Sequence, residues 1–313
     1  MSGYLEKGIW KSGWYDTART GGEFVRAPSR FRAWVTADGS SGFAAEPASY
    51  HLYVSAACPW AHRTMIFRKL KGLEDVISLS IVDPVIHDQG WEFSDAPGCI
   101  PDTVNGFRYL REAYTAADPQ CSGRVTVPVL WDKRRRTIVN NESSEIIRMF
   151  NSAFDAFTAV KTDYYPPALR DRIDAVNALV YETVNNGVYR CGFAATQAAY
   201  ERAFDALFSA LDQLDTRLAA SRYLLGDTLA EADWRLFTTL VRFDAVYYVH
   251  FKCNLRRIAD YPNLSRLLRE LYRLPGVAET VNMDHIKRHY YLSHAHLNPS
   301  GIVPKGPEVA FLE

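Results

Sequence analysis

Three consecutive stretches decide the fold: Tyr50-His51-Leu52-Tyr53-Val54, then Cys58-Pro59-Trp60 with Ala61 to Leu70, then Val76-Ile77-Ser78-Leu79-Ser80-Ile81-Val82. The first is β-branched and aromatic, the composition of a short strand. Ala61 to Leu70 carries Met65, Ile66 and Leu70 at helical spacing, and Gly72 is a natural helix stop. The last run is apolar enough for a buried sheet position. Together they predict a strand–helix–strand unit of about 33 residues, right-handed and with parallel strands.

Working outward, residues 83–122 hold four prolines and Trp91 and are expected to be a long irregular insertion. Val127-Pro128-Val129-Leu130-Trp131 resumes β character, Asp132 to Arg136 is a charged turn, and Thr137-Ile138-Val139 is the return strand. Asn141-Glu142-Ser143-Ser144-Glu145 opens a helix running through Ile146, Ile147, Met149 and Phe150, with Ser or Asn as its cap. The order over 49–152 is therefore β-α-β-insertion-β-β-α, an α/β domain. From 166 to 313 the pattern is helical. Tyr200, Phe204, Leu207, Phe208, Leu211, Leu214 and Leu218 mark one amphipathic helix, Trp234, Phe237, Leu240, Val241 and Ala245 a second, and Leu264, Leu267, Leu268 and Leu271 a third. Pro299, Pro304 and Pro307 indicate an extended tail. Residues 1–48 are rich in Gly, Ser and Arg but carry Trp10, Trp14, Tyr15, Phe24, Phe31 and Trp34, so they read as an arm packing on the body; the competing reading is a floppy terminus.

The 313 residues balance 36 Lys+Arg against 36 Asp+Glu, and 48% are hydrophobic. That length suggests two domains, and the apolar fraction excludes disorder as the dominant state. Zero net charge argues against nucleic-acid binding by bulk charge. The 18 tyrosines, 16 phenylalanines and 7 tryptophans hint at stacking surfaces for planar ligands. The start lacks a basic segment followed by an apolar run, and no window approaches the ~20 apolar residues of a bilayer span, so a cytoplasmic protein is expected. Five cysteines, Cys58, Cys99, Cys121, Cys191 and Cys253, are odd in number and contain no Cys-x-x-Cys pair. That fits a reducing compartment, not a disulfide framework or a zinc site.

Most such cysteines are small hydrophobes. Cys58 differs because it stands where a strand ends and a helix begins, with Pro59 suited to the first helical turn. Unpaired backbone N–H groups and the dipole there favour a thiolate. Ala61 occupies the position a second cysteine would need, so the expected chemistry is monothiol: attack, mixed disulfide, rescue by an outside thiol. Val127-Pro128 alone is equally well an ordinary strand-initiating proline.

Tyr53-x4-Cys58-Pro59-Trp60-Ala61, Arg124-Val125-Thr126-Val127-Pro128 and Asn141-Glu142-Ser143 resemble glutathione transferases with a cysteine active site. Cys58-Pro59-Trp60-Ala61-His62-Arg63, Asn186-Gly187-Val188-Tyr189, Arg242-Phe243-Asp244-Ala245-Val246-Tyr247 and His289-Tyr290-Tyr291-x-Ser293-His294 are similar to the Xi class, the glutathionyl-hydroquinone reductases, with the match running from about Trp14 to Pro307. The resemblance implies a thioredoxin-like N-terminal domain with a cis Val127-Pro128, an all-helical C-terminal domain and a homodimer. It implies glutathione as co-substrate, an aromatic glutathionyl-hydroquinone as substrate, and no metal. Cys58 is then the nucleophile. Trp91 packs over glutathione; Arg124 and the Val125, Thr126, Val127 backbone hold it, and Glu142 and Ser143 take its γ-glutamyl end. Tyr189, Tyr247 and Tyr290, from the helical domain, surround the sulfur, with Tyr189 as proton donor and the other two favouring the thiolate.

Each has a plainer competitor. Trp91 could plug the core, Arg124 could be a solvated charge, and Glu142 a first-turn acid worth ~0.3–1 kcal/mol. His289, His294 and His296 have no carboxylate or cysteine nearby to complete a metal set and are read as structural. Ala230 stands where relatives carry a Thr or Ser cap, and Thr228 with Glu231 is a substitute capping box. The functional alternatives are an omega- or glutaredoxin-like monothiol transferase or dehydroascorbate reductase, a conjugating transferase, and a non-catalytic interaction module. Disulfide exchange requires no tyrosine set, a conjugating enzyme would use Tyr or Ser instead of Cys58, and a non-catalytic module predicts a lost nucleophile.

Overall fold

The structure, a computed structural model, describes residues 3–309. Its two units do not follow chain order. One takes the chain up to Trp14, Pro28–Thr162 and Glu279–Val303; the other takes Tyr15–Ala27, Asp163–Ala278 and the residues from Pro304 on. The arm expected at 1–48 is thus shared between them, and the helical stretch expected from 166 yields 279–303 to the first unit. The first two residues of that arm and the last four of the expected tail lie outside the described residues.

The first unit opens with a hairpin, β1 (Gly3–Glu6) and β2 (Ile9–Ser12). It turns at Lys7 and Gly8, where φ is 49° and 79°. A Cβ on Gly8 would stand 2.1 Å from the Pro119 carbonyl oxygen, so only glycine fits. β3 (Val35–Thr36) and β4 (Phe43–Ala44) form a small parallel pair. The main sheet uses β5 (Tyr50–Val54) and β6 (Ile77–Ile81), which run parallel as expected. β7 (Gly123–Arg124) pairs with β1 instead, and β8 (Val129–Asp132) and β9 (Thr137–Asn140) complete the order β6-β5-β8-β9, with both later pairings antiparallel. The outer edge of β9 is covered by the arm: Ala33 N–H donates to Val139 O at 3.0 Å, and Asn141 N–H to Phe31 O at 3.0 Å. Covering an edge strand removes a row of unpaired backbone groups.

All five residues of β5 are buried, including His51. Its ring nitrogens meet the Ser78 and Ser80 hydroxyls of β6 at 2.7 and 2.9 Å, two residues apart on one face of the neighbouring strand. Burial lowers the His51 pKa to about 4, so the ring is neutral.

α1 (Pro59–Leu70) and α3 (Ser143–Ser152) pack together in this unit. The α1 core face is Ile66 and Phe67; Met65 and Leu70, expected there, are only half-buried. Between them lies α2 (Leu110–Ala117), which corrects the expectation of irregular structure throughout 83–122. Leu110, Ala113 and Tyr114 form its buried stripe. Two turns carry too few apolar residues to stand out, and the four prolines fall outside the helix.

The second unit contains α4 (Arg170–Leu179), a π turn at Val180–Asn185, α5 (Gly187–Gly192) and the long α6 (Gln197–Ala219). α7 (Glu231–Arg242) is buried along its whole length and runs through a second π turn, Phe243–Tyr247, into α8 (Tyr248–His250); α9 (Pro262–Tyr272) follows. The chain then returns to the first unit as α10 (Met283–Ser293). Ala230 is the N-cap of α7, and Asp233 compensates from within the helix: its Oδ2 accepts the Ala230 N–H at 3.0 Å and its Oδ1 the Leu224 N–H at 2.8 Å. Glu231 does not form the substitute box with Thr228. Its carboxylate binds Asn177 at 2.9 Å and Arg235 at 3.2 Å.

An alanine cap leaves a first-turn N–H without a side-chain acceptor. Ala230→Ser therefore gains about 1 kcal/mol, a rise of about 2 °C in Tm by calorimetry; an unchanged or lower Tm refutes the missing-cap account. His51 predicts a pH dependence. Its pKa is depressed in the folded state, so its contribution is complete above the unfolded value of ~6.5 and is lost as pH falls toward about 4. The slope is about 1.4 kcal/mol per pH unit for one proton, and urea unfolding of His51→Gln across that window should lack this part of the slope.

Candidate active site

Because β5 is fixed on both sides by β6 and β8, its end is fixed too. The chain then turns at Ser55: Ala57 N–H donates to Ser55 Oγ at 3.3 Å and Cys58 N–H to Ser55 O at 3.2 Å. Cys58 is the N-cap of α1, with extended backbone (φ −78°, ψ 124°) and Pro59 at the first helical position. Its carbonyl accepts the His62 N–H at 2.9 Å, and its half-buried Sγ donates to Val127 O at 3.8 Å. The Val127-Pro128 peptide is cis, as the resemblance implies. Cys121, Cys191 and Cys253 are buried, and burial pushes the Cys99, Cys121 and Cys253 thiols up.

At the start of α3 the cap is Glu142, not an Asn or Ser. Its Oε1 accepts from the Ser144 N–H at 3.1 Å and hydroxyl at 2.9 Å, and its Oε2 from Ser29 Oγ at 3.0 Å. Burial alone would raise its pKa, but these hydrogen bonds and the Arg63 charge hold the carboxyl below its usual value. Arg63 reaches Ser143 Oγ at 3.4 Å while its guanidinium lies 4.6 Å from the Trp60 ring. Arg63 stands in the Cys58-to-Arg63 motif without an assigned role, and Ser29 carries no local signal.

Val125 is buried, and Thr126 is held by Tyr114 of α2. The Tyr114 hydroxyl donates to Thr126 O at 2.8 Å and accepts the Thr126 N–H at 3.2 Å and the Asn141 Nδ2–H at 3.1 Å. One phenol thus ties the segment beside Cys58 to the start of α3. Its helix is only two turns long with three buried residues, so the sequence around Tyr114 carries no helical signal. Arg124 spends donors on the arm: Nη1 to Gly13 O at 2.6 Å and Nη2 to Trp14 O at 2.7 Å, with the guanidinium 5.3 Å from the Tyr4 ring.

Trp91 is 7% exposed and stacks on His289 at 5.1 Å and 18°. Tyr290 is fully buried on α10, and that helix belongs with Cys58's unit, not the helical one as the resemblance suggested. The cause is a series of ties: His285 Nε2 to Pro97 O at 2.8 Å, His289 Nδ1 to Pro84 O at 2.7 Å, and Ile86 N–H to Ser293 Oγ at 2.9 Å. His294 and His296 pack against the Trp14 ring, at 5.9 and 4.4 Å. Among the described residues no group of three or more His, Cys, Asp or Glu side chains could hold a metal.

Within the helical unit, Tyr189 and Tyr247 come together, ring centroids 6.1 Å apart. Phe251 stacks on Tyr247 at 5.4 Å and 17° and meets the Tyr189 ring at 5.4 Å. Gly192 permits this approach, since a Cβ there would lie 2.2 Å from the Phe251 ring. Tyr247 ends one π turn and Tyr189 sits one turn past the other. Such turns are frequent at functional sites.

Two family models match: "Glutathione S-transferase, N-terminal domain" over residues 57–153 and "Glutathione S-transferase, C-terminal domain" over 197–270. The chain is 56% identical to the glutathionyl-hydroquinone reductase YqjG of Escherichia coli (97% of this chain, 95% of that protein). It is 57% identical to the glutathionyl-hydroquinone reductase PcpF of Sphingobium chlorophenolicum (97% and 96%). Among solved structures it resembles the glutathione-bound YqjG, with TM-score 0.92 and 52% identity over 99% of this chain and 97% of that one. A Xi-class transferase from Natrialba magadii gives TM-score 0.93 and 48% identity, covering 99% and 94%. No helix among the described residues is long and apolar enough to cross a membrane. With the fold of a thioredoxin-like domain joined to a helical one and this identity along nearly its whole length, the chain belongs to the Xi-class glutathione transferases, the glutathionyl-hydroquinone reductase family.

Proposed function

We propose that this chain reduces glutathionyl-hydroquinones to hydroquinones, with glutathione as co-substrate. The observation that carries the reading is a half-buried cysteine at a helix N-terminus, with no second cysteine in its motif, in a chain 56% and 57% identical to two such reductases. A thiolate cannot displace an aryl carbon directly, because the departing carbanion is far too basic. Protonation of the ring carbon, reached through the keto tautomer, removes that barrier. Cys58 then attacks the glutathionyl sulfur, and the electrons of the breaking C–S bond pass into the carbonyl as an enolate, which takes a proton to become the phenol. The remaining Cys58–glutathione disulfide is opened by a second glutathione, releasing glutathione disulfide and the free thiol.

In this reading Tyr189 supplies or relays the proton, and Tyr247 and Tyr290 favour the thiolate. Glu142, held as a carboxylate, accepts the ammonium of the γ-glutamyl end, and Ser143 with the first N–H groups of α3 takes its carboxylate. Val125, Thr126 and Val127 supply backbone hydrogen bonds, Arg124 helps to hold the tripeptide, and Trp91 packs over it. The assignment extends to residues 49–152 as the glutathione-binding domain, 166–278 as the helical domain, a homodimer, and a cytoplasmic location.

Mass spectrometry after one turnover is expected to show one glutathione on Cys58, and Cys58→Ala is expected to abolish turnover; an unmodified thiol or an active variant overturns the mechanism. Tyr189→Phe separates this reading from a general monothiol transferase. It should lower kcat on a glutathionyl-hydroquinone by about 10²-fold or more while sparing exchange with a simple mixed disulfide, which protonates no carbon. Equal rates on both substrates in the wild type, or equal losses in the variant, favour the transferase.

A further inference from the structure

We infer that Arg26 is a positioning residue that acts through Tyr189, stabilising the negative charge left on the phenol when it gives up its proton. The inference rests on the reading of Tyr189 as proton donor and deepens it. Arg26 comes from the arm segment Tyr15–Ala27, which groups with the helical unit. Its guanidinium carbon lies 5.0 Å from the centroid of the Tyr189 ring and 5.5 Å from that of Phe24. Phe24 is itself stacked on Tyr189 at 6.3 Å and 29°. The guanidinium is aimed by one further contact: Nε donates to Oδ1 of Asn186, the residue from which α5 and Tyr189 start, at 3.3 Å. Charge, ring and helix start are thereby fixed relative to one another.

The electrostatics follow from this geometry. A cation over an aromatic face is attracted by the ring quadrupole, and the attraction grows when the ring carries anionic charge. As Tyr189 passes its proton to the substrate carbon, the O–H electron pair stays on the oxygen and delocalises into the ring under the guanidinium. The interaction is stronger in that transition state than in the ground state, so it accelerates the step instead of merely tightening binding. Other charges beside Arg26 are paired: Glu23 with Arg202 at 2.7 Å and Glu182 with Arg190 at 2.7 Å, all lining a cavity of about 460 Å³ that also borders Arg26. Tyr189 also meets the rings of Tyr247, Phe193 and Phe251, at 6.1, 5.8 and 5.4 Å.

The test compares Arg26→Gln and Arg26→Lys, each in the wild-type and the Tyr189→Phe background, by kcat and KM on a glutathionyl-hydroquinone with Tm measured alongside. R26Q is expected to lower kcat about tenfold at unchanged KM and Tm, and R26K to recover most of it. In the Tyr189→Phe background R26Q should add less than twofold, because the residue it acts through is gone. A full loss in both backgrounds, a loss that tracks Tm, or an R26Q enzyme as fast as wild type overturns the inference. Failure of the underlying reading looks different: the wild type does not turn over the hydroquinone conjugate, or Tyr189→Phe leaves kcat intact.

Discussion

The junction between β5 and α1 is the constraint on which the first unit depends. A strand buried on both faces and bonded on both edges cannot shift register, since a one-residue slip would move every side chain to the wrong face. Tyr50 faces Ile77 on one side and Asp132 on the other, and all five residues of the strand are inaccessible. The position of the helix start after the strand is therefore set by the core. Cys58 inherits it, with its backbone inside the cap and its sulfur at the end of the helix where donors are unpaired.

The same economy governs the rest of that unit. Glu142 caps α3 and at the same time presents a carboxylate kept ionised by the groups that it caps. Arg124 closes the arm by two carbonyls, and the arm brings Ser29 to Glu142 and covers the open edge of β9. Removing the arm would expose a strand edge and strip a hydrogen bond from the carboxylate. The hydrogen bonding of the Glu142 carboxylate and the cover over the β9 edge are therefore parts of one packing solution.

What the sequence makes legible follows from the range of the forces involved. β5, α1, β6, α6, α7 and α9 each carry enough periodic apolar residues to be read locally, and Cys58 announces itself by its place between a strand and a proline. α2 does not, because three buried residues over two turns look like noise among prolines. Membership of units is also illegible: α10 reads as one more helix of the C-terminal series, yet its histidines and Ser293 bond to the backbone around Pro84, Ile86 and Pro97. Ser29, Arg63 and Tyr114 are placed by long-range contacts, and nothing in their neighbours along the chain predicts those partners.

The two π turns show how a change of winding can hide inside a correctly read helix. The stripe Trp234, Phe237, Leu240, Val241, Ala245 runs straight through the second turn, and no glycine or proline in Phe243–Tyr247 marks the change of winding. A π turn accommodates an extra residue within a helix, so the side chains that follow are rotated from where a regular helix would put them. Here that rotation occurs once ahead of Tyr189 and once at Tyr247, and the two rings meet against Phe251. A regular helix in either place would carry the ring to another face. The helical winding is thus altered ahead of Tyr189 and at Tyr247, the two rings that meet, and the second of these turns continues directly from α7, which is buried from end to end.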